Sequence, residues 1–269
     1  MWKRIAVILV LVVALVGGGV VLYFSTPYEG SEASIQSVQD DPRVDVETAD
    51  GVSVLSPADG DSEIGVVFYP GARVAPNAYY RSLAPLVTEA NATVYIAEMP
   101  LNVALLDADA ADDIRADEAQ IETWIVGGHS LGGVAACSYA AETDVDGLLM
   151  FASYCNDDIS DRDIAVLSVT GSADTVLDWE DYRASNADLP PATTSERLPD
   201  VNHTQFGSYR GQRGDSMSPL SYDEAHDRLA EVLVPWIEAR VIETRFCRGW
   251  SKHSTYDGRH LYHPPVSPE

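Results

Sequence analysis

Residues 123–133, Thr123-Trp124-Ile125-Val126-Gly127-Gly128-His129-Ser130-Leu131-Gly132-Gly133, pass from a short apolar run through a glycine-rich turn into a helical pattern. The reading of this stretch decides the fold. A G-x-S-x-G turn between a strand and a helix forces its serine into a tight corner, exposes Oγ above the sheet and aims the next backbone N–H at a developing oxyanion. Small residues are required where the chain turns against its neighbours, and Gly128, Gly132 and Gly133 supply them, followed by Ala135 and Ala136 on the helix. Without that strand-to-helix context the same letters describe only a glycine-rich turn holding a serine by chance.

A serine hydroxyl is a weak nucleophile until a base takes its proton, and the base needs a carboxylate to fix its tautomer. Downstream of Ser130 the chain offers both in that order. Asp174 closes Gly171-Ser172-Ala173-Asp174, just past the apolar run 164–170, and His203 sits in Val201-Asn202-His203-Thr204-Gln205-Phe206-Gly207. Alone, Asp174 reads equally as a turn residue capping the next helix, and His203 as a loop histidine. Their order, with serine and acid each beyond a strand end, favours the chemical reading. Asp157 or Asp158, after the preceding strand, is the alternative acid. His129 belongs to the turn, His226 rides the acidic start of the last helix, and His253, His260 and His263 fall near the C-terminus. A second oxyanion donor is expected from Tyr69-Pro70-Gly71-Ala72-Arg73, where the N–H of Ala72 partners that of Leu131; loss of one such donor typically costs roughly 3 kcal/mol of transition-state stabilisation. The plainer reading of this segment is a Pro-Gly turn.

Outward from the motif, apolar runs alternate with helical stretches from residue 52 onward, the pattern of a mostly parallel sheet flanked by helices on both faces. Core strands are expected at 64–69 (IGVVFY), 93–97 (TVYIA), 123–126 (TWIV), 147–153 (GLLMFAS) and 164–170 (IAVLSVT). Helices are expected at 77–89, 109–121, 131–142, 176–185 and 222–241. The last carries a capping box, Ser221 with Glu224, an apolar stripe of Leu229, Val232, Leu233, Trp236 and Ile237, and a kink at Pro235.

The ends differ from this body. Residues 5–24 (IAVILVLVVALVGGGVVLYF) are twenty consecutive uncharged residues preceded by Lys3 and Arg4, long enough for a transmembrane helix. A secretory signal is the alternative, but no clear small-residue cleavage site follows. The leading positive charges place the N-terminus in the cytoplasm and the body outside the cell membrane. The expected organisation is an anchor over 1–24, a polar linker over 25–46, an α/β domain over 47–241 and, over 242–269, a tail outside the core. Three cysteines, Cys137, Cys155 and Cys247, show no metal-ligand spacing and make a disulfide framework unexpected. Cys137 reads as helix packing, and a Cys155–Cys247 bridge is compatible with the sequence without being established by it.

Seventeen Lys plus Arg against 42 Asp plus Glu leave a net charge of −25, and only Lys3 and Lys252 are lysines. Such a surface excludes nucleic acid as a partner. It resembles the surfaces of proteins from salt-loving organisms, where screening shortens self-repulsion.

From about residue 52 to 241 the chain resembles the α/β-hydrolase superfamily, in its compact branch without a cap. The resemblance is carried by Tyr69-Pro70-Gly71, Met99-Pro100-Leu101-Asn102, the turn from Gly127 to Gly133, Gly171-Ser172-Ala173-Asp174 and Asn202-His203-Thr204-Gln205-Phe206-Gly207. It implies an α/β-hydrolase fold with Ser130 as nucleophile, Asp174 as acid and His203 as base, and no metal or organic cofactor. It implies no substrate; the leading reading of the residues is a membrane-anchored serine hydrolase of small-molecule carboxylic esters acting through an acyl-enzyme, with thioester, lactone or peptide bonds open to the same chemistry. A non-catalytic binding module on the same fold is the opposed reading. Only ten residues, 154–163, occupy the place where larger lipases and esterases insert a cap, so an open site is expected. Two sequons, at Asn91 and Asn202, fall in the exported part, and the second surrounds His203 and is expected to stay unmodified.

Overall fold

The computed structural model describes residues 15–60 and 62–241. Strands β1 (Val44–Ala49), β2 (Val52–Pro57), β3 (Ile64–Tyr69), β4 (Ala92–Ala97), β5 (Thr123–His129), β6 (Gly147–Phe151), β7 (Ala165–Gly171) and β8 (Thr194–Leu198) form one sheet. Its order is β1-β2-β4-β3-β5-β6-β7-β8; β1 and β2 pair antiparallel and β3 to β8 run parallel. Helices α1 (Glu32–Gln39), α2 (Tyr80–Thr88), α3 (Ala110–Asp117), α4 (Leu131–Glu142), α5 (Trp179–Ser185) and α6 (Tyr222–Trp236) connect or flank them.

Side chains of a strand alternate between its two faces, so a continuous apolar run feeds two cores at once. Val66 and Phe68 of β3 join one core with Val38 of α1, Leu83 of α2 and Leu229 of α6. Val67 and Tyr69 of the same strand join the other, with Ala111 of α3 and Ala136 of α4. Helices on both faces thus follow from the unbroken apolar character of the central strands. The parallel strands also place the loops after β3, β4, β5, β7 and β8 at one carboxyl edge, where ligands bind in open α/β sheets.

All five expected core strands are present, and α4 begins and ends where its pattern predicts. The capping box forms, with the Ser221 hydroxyl accepting from Glu224 N–H and the Glu224 carboxylate accepting from Ser221 N–H. The last helix is α-helical only to Trp236 and continues as a π-helical turn over Ile237–Val241. Pro235 has no N–H to give, so the regular hydrogen-bond ladder is interrupted beside this change of pitch.

Two expectations are corrected. Residues 25–46, read as a linker, carry α1 and the start of β1; Val38 is buried, and the backbone of Tyr28 pairs with Val74. The signal for α1 is Ser31, which caps the helix by accepting from Ser34 N–H, but its single buried apolar contact leaves no legible stripe. Cys137 of α4 forms a disulfide with Cys155 in the loop after β6, their Cα atoms 5.5 Å apart, a normal disulfide separation. The fold alone brings these two sulfurs together; Cys247 lies outside the described residues.

The expected anchor falls half outside the described residues. Its described half, residues 15–24, is helical and largely exposed, and among the described residues no helix is long and apolar enough to cross a membrane. The tail expected over 242–269 lies outside the described residues.

Candidate active site

Ser130 stands between β5 and α4 with φ 53° and ψ −123°, a left-handed conformation that costs a non-glycine residue energy. The surrounding chain enforces it. Ser130 N–H donates to Phe151 O (2.9 Å), the Ser153 hydroxyl donates to Ser130 O (2.7 Å), and Gly133 N–H also donates to Ser130 O (3.0 Å). A Cβ on Gly132 would strike the carbonyls of Tyr69 and Pro70, and one on Gly128 would strike the backbone of Gly132. These two glycines let the turn pass under the β3 loop.

Asp174 follows β7 and is buried. Its Oδ1 accepts from Val176 N–H (2.8 Å) and Leu177 N–H (2.9 Å), while Oδ2 lies 2.8 Å from Nδ1 of buried His203. An ionised carboxylate is an acceptor only, so His203 carries its proton on Nδ1 and leaves Nε2 as a basic lone pair. Nε2 is buried and has no hydrogen-bond partner among the described residues. The alternative acids are engaged elsewhere, Asp157 by the Ser138 hydroxyl and Asp158 by Ser160.

The loop that carries His203 is held from several sides that its sequence does not announce. Asn202 and Gln205 cap the short turn His203–Phe206 reciprocally. Asp215 accepts from His203 N–H (3.2 Å) and Thr204 N–H (2.9 Å). His226, at the acidic start of the last helix, is buried, with Nε2 3.0 Å from Gly207 O, and burial pushes its pKa down to about 4. The Asn202 amide donates to Ser216 O (2.6 Å) and the residue is buried, whereas Asn91 of the other sequon is exposed.

His129, read only as part of the turn, links the motif to His203. Its ring centroid is 4.5 Å from that of His203. Burial, with the adjacent His203 as a lesser cause, holds its pKa well below the usual histidine range. On the other side, Tyr79 Oη accepts from Gly71 N–H (2.9 Å) and lies 2.9 Å from His129 Nδ1. The phenol is the donor to that nitrogen, and burial pushes its own pKa up. Tyr79 is fifty residues from His129 in sequence, so no local signal marks it.

The N–H groups flanking Ala72 are both satisfied, Gly71 by Tyr79 and Arg73 by Asn102 O (2.8 Å). Ala72 N–H has no acceptor among the described residues, and Leu131 opens α4, where first-turn N–H groups have no acceptor within the helix. Ser130 and Leu131 are half-buried, and no helix or strand is inserted in the connection from β6 to β7. Among the described residues no cluster of three or more His, Cys, Asp or Glu is placed to hold a metal ion.

This arrangement has a family. The profile of the alpha/beta hydrolase family matches residues 65–227, and the chain belongs to that family. Its fold is similar to an esterase domain from Rhodothermus marinus, with TM-score 0.54, 14% identity, and coverage of 74% of this chain and 99% of that one. It is also similar to a thermophilic esterase from Thermogutta terrifontis, with TM-score 0.52, 16% identity, and coverage of 74% and 92%. A lidless α/β serine hydrolase from Xanthomonas campestris matches with TM-score 0.53, 17% identity, and coverage of 73% and 94%. No curated protein matches the chain in sequence.

Proposed function

We propose that the chain is a membrane-anchored serine hydrolase of carboxylic esters. Ser130 attacks the ester carbonyl, His203 Nε2 takes its proton and returns it to the leaving alcohol, and Asp174 holds the imidazole and stabilises its charged form. The N–H groups of Leu131 and Ala72 bind the oxyanion, and water activated by His203 releases the acid from the acyl-enzyme. The observation that carries this reading is the buried Asp174–His203 pair, whose Nε2 is left with no hydrogen-bond partner among the described residues.

The uncharged run over residues 5–24, with positive charges before it, supports an anchor that leaves the catalytic domain outside the cell membrane. The Cys137–Cys155 disulfide also supports that side, because such bonds persist in oxidising surroundings. A fluorophosphonate probe is expected to label the protein at Ser130, and Ser130→Ala to abolish both labelling and p-nitrophenyl ester hydrolysis, the latter by roughly 10⁴-fold or more. Labelling that survives in Ser130→Ala removes this assignment, and absence of labelling in the unaltered protein favours a non-catalytic module.

A further inference from the structure

The large hydrophobic side chains exposed among the described residues fall into two groups: the helical segment 15–24, and Leu101, Leu105, Leu106 and Met217. The second group lies on loops at the carboxyl edge of the sheet, around the candidate site. Leu101 and Asn102 adopt left-handed φ values of 52° and 54° in the loop after β4, and residues 104–106 pack against α4, the helix that begins at the nucleophile turn. Met217 is 95% exposed and follows Ser216, whose carbonyl holds Asn202 beside His203. A soluble surface rarely gathers its exposed apolar side chains at one edge without a partner for them.

The apolar N-terminal segment ends at this same edge. The Asn102 amide donates to Phe24 O (2.7 Å), and the Arg73 guanidinium donates to Thr26 O (2.9 Å) and lies 3.8 Å above the Tyr23 ring. Tyr28 N–H donates to Arg73 O, and Ala75 N–H donates to Tyr28 O. Arg73 and Asn102 thus hold the end of the apolar segment against two of the loops that frame Ser130.

We propose that the mouth of the site faces the bilayer that anchors the chain. Leu101, Leu105, Leu106 and Met217 sit at headgroup depth, and the substrates are esters of amphiphiles resident in that membrane. The inference rests on the anchored ester-hydrolase reading and adds orientation and substrate class to it. Arg210 and Arg213, exposed on the loop that carries Met217, give the rim positive charges suited to lipid phosphates, in a chain whose net charge of −25 is otherwise repelled by an anionic surface. Tyr23 and Arg73 occupy the position where aromatic and basic side chains favour the membrane–water boundary.

The test uses the full chain, with Cys247→Ser, reconstituted into phosphatidylcholine vesicles. Single cysteines replacing Leu105, Met217 or, as a control on α6, exposed Glu231 carry an environment-sensitive nitrobenzoxadiazole label. Emission at 105 and 217 is expected to shift to the blue and to be quenched by nitroxide-labelled lipid, with emission at 231 unaffected. Equal quenching at all three positions, or a chain that stays in the supernatant, overturns the proposal. In parallel, Leu105→Ser with Leu106→Ser is expected to lower the ratio of vesicle-borne diacylglycerol hydrolysis to p-nitrophenyl acetate hydrolysis roughly ten-fold. An unchanged ratio overturns the substrate assignment. An unaltered chain that hydrolyses neither ester while position 105 is still quenched overturns the ester-hydrolase reading and supports the orientation.

Discussion

Two residues that carry no part of the motif set the conditions for those that do. Tyr79 accepts from Gly71 N–H, one residue before Ala72, the proposed oxyanion donor, and donates to His129 beside His203, the proposed base. Tyr79→Phe leaves that buried N–H unpaired, a cost of about 1–3 kcal/mol. It is expected to lower kcat roughly 10- to 100-fold with little change in KM, because the oxyanion is present only after attack. A change confined to KM in steady-state kinetics would contradict this. His226 reaches the loop that carries His203 through Gly207, and its sign is fixed by burial: the folded pKa is about 4, below the ordinary 6.5. Between these values the unfolded chain binds a proton that the folded one refuses, so stability falls as the pH drops from 6.5 to 4, by about 3 kcal/mol at about 1.4 kcal/mol per pH unit. Denaturant unfolding across that window is expected to show a slope of at least this size and His226→Asn to reduce it, leaving the part that buried His129 contributes in the same direction.

At the scale of elements, legibility followed local pattern. The central strands are buried on both faces and stand out as apolar runs, and Ser130, Asp174 and His203 were readable because each falls beside such a strand or in a motif of its own. By contrast β8 reads Thr-Ser-Glu-Arg-Leu and buries only Leu198 fully, so an exposed edge strand looks like a loop until β7 is there to pair with it. Tyr79 and Asp215 reach their partners only through the fold. The cysteines were illegible for the same reason. Their bridge joins α4 to the β6 loop across 18 residues, and closure of a loop of that size stabilises by about 3 kcal/mol in the chain-entropy treatment. Peptide mapping without reductant is expected to recover the 137–155 cross-link, and replacement of both cysteines by alanine to lower unfolding stability by about that amount. An unlinked digest would exclude the pairing.

Over the whole molecule, the acidic surface is the dominant electrostatic fact. Forty-two carboxylates meet 17 Lys and Arg, and the arginine–carboxylate bridges among the described residues pair four contacts with Arg43, Arg81 and Arg162. Most of this charge is therefore repulsive at low salt, where screening extends over about 10 Å, and is muted near 1 M, where it extends over about 3 Å. Raising potassium chloride across that range is expected to lift the thermal midpoint by roughly 5 °C or more, and a flat or falling midpoint in calorimetry would show that self-repulsion does not limit stability. The same molecule separates anchoring from variation in the connection after β6. Ser153 is latched to the carbonyl of Ser130, Cys155 is bonded to α4, and Ile159 is buried with its N–H on Asp188 O. Residues 156–158 lie between these fixed points, with Asn156 and Asp158 exposed. An inserted segment grafted there would hang over the mouth while the supports of the nucleophile turn stayed in place, which makes those three positions the natural entry point for engineering a cap, and with it selectivity by substrate size.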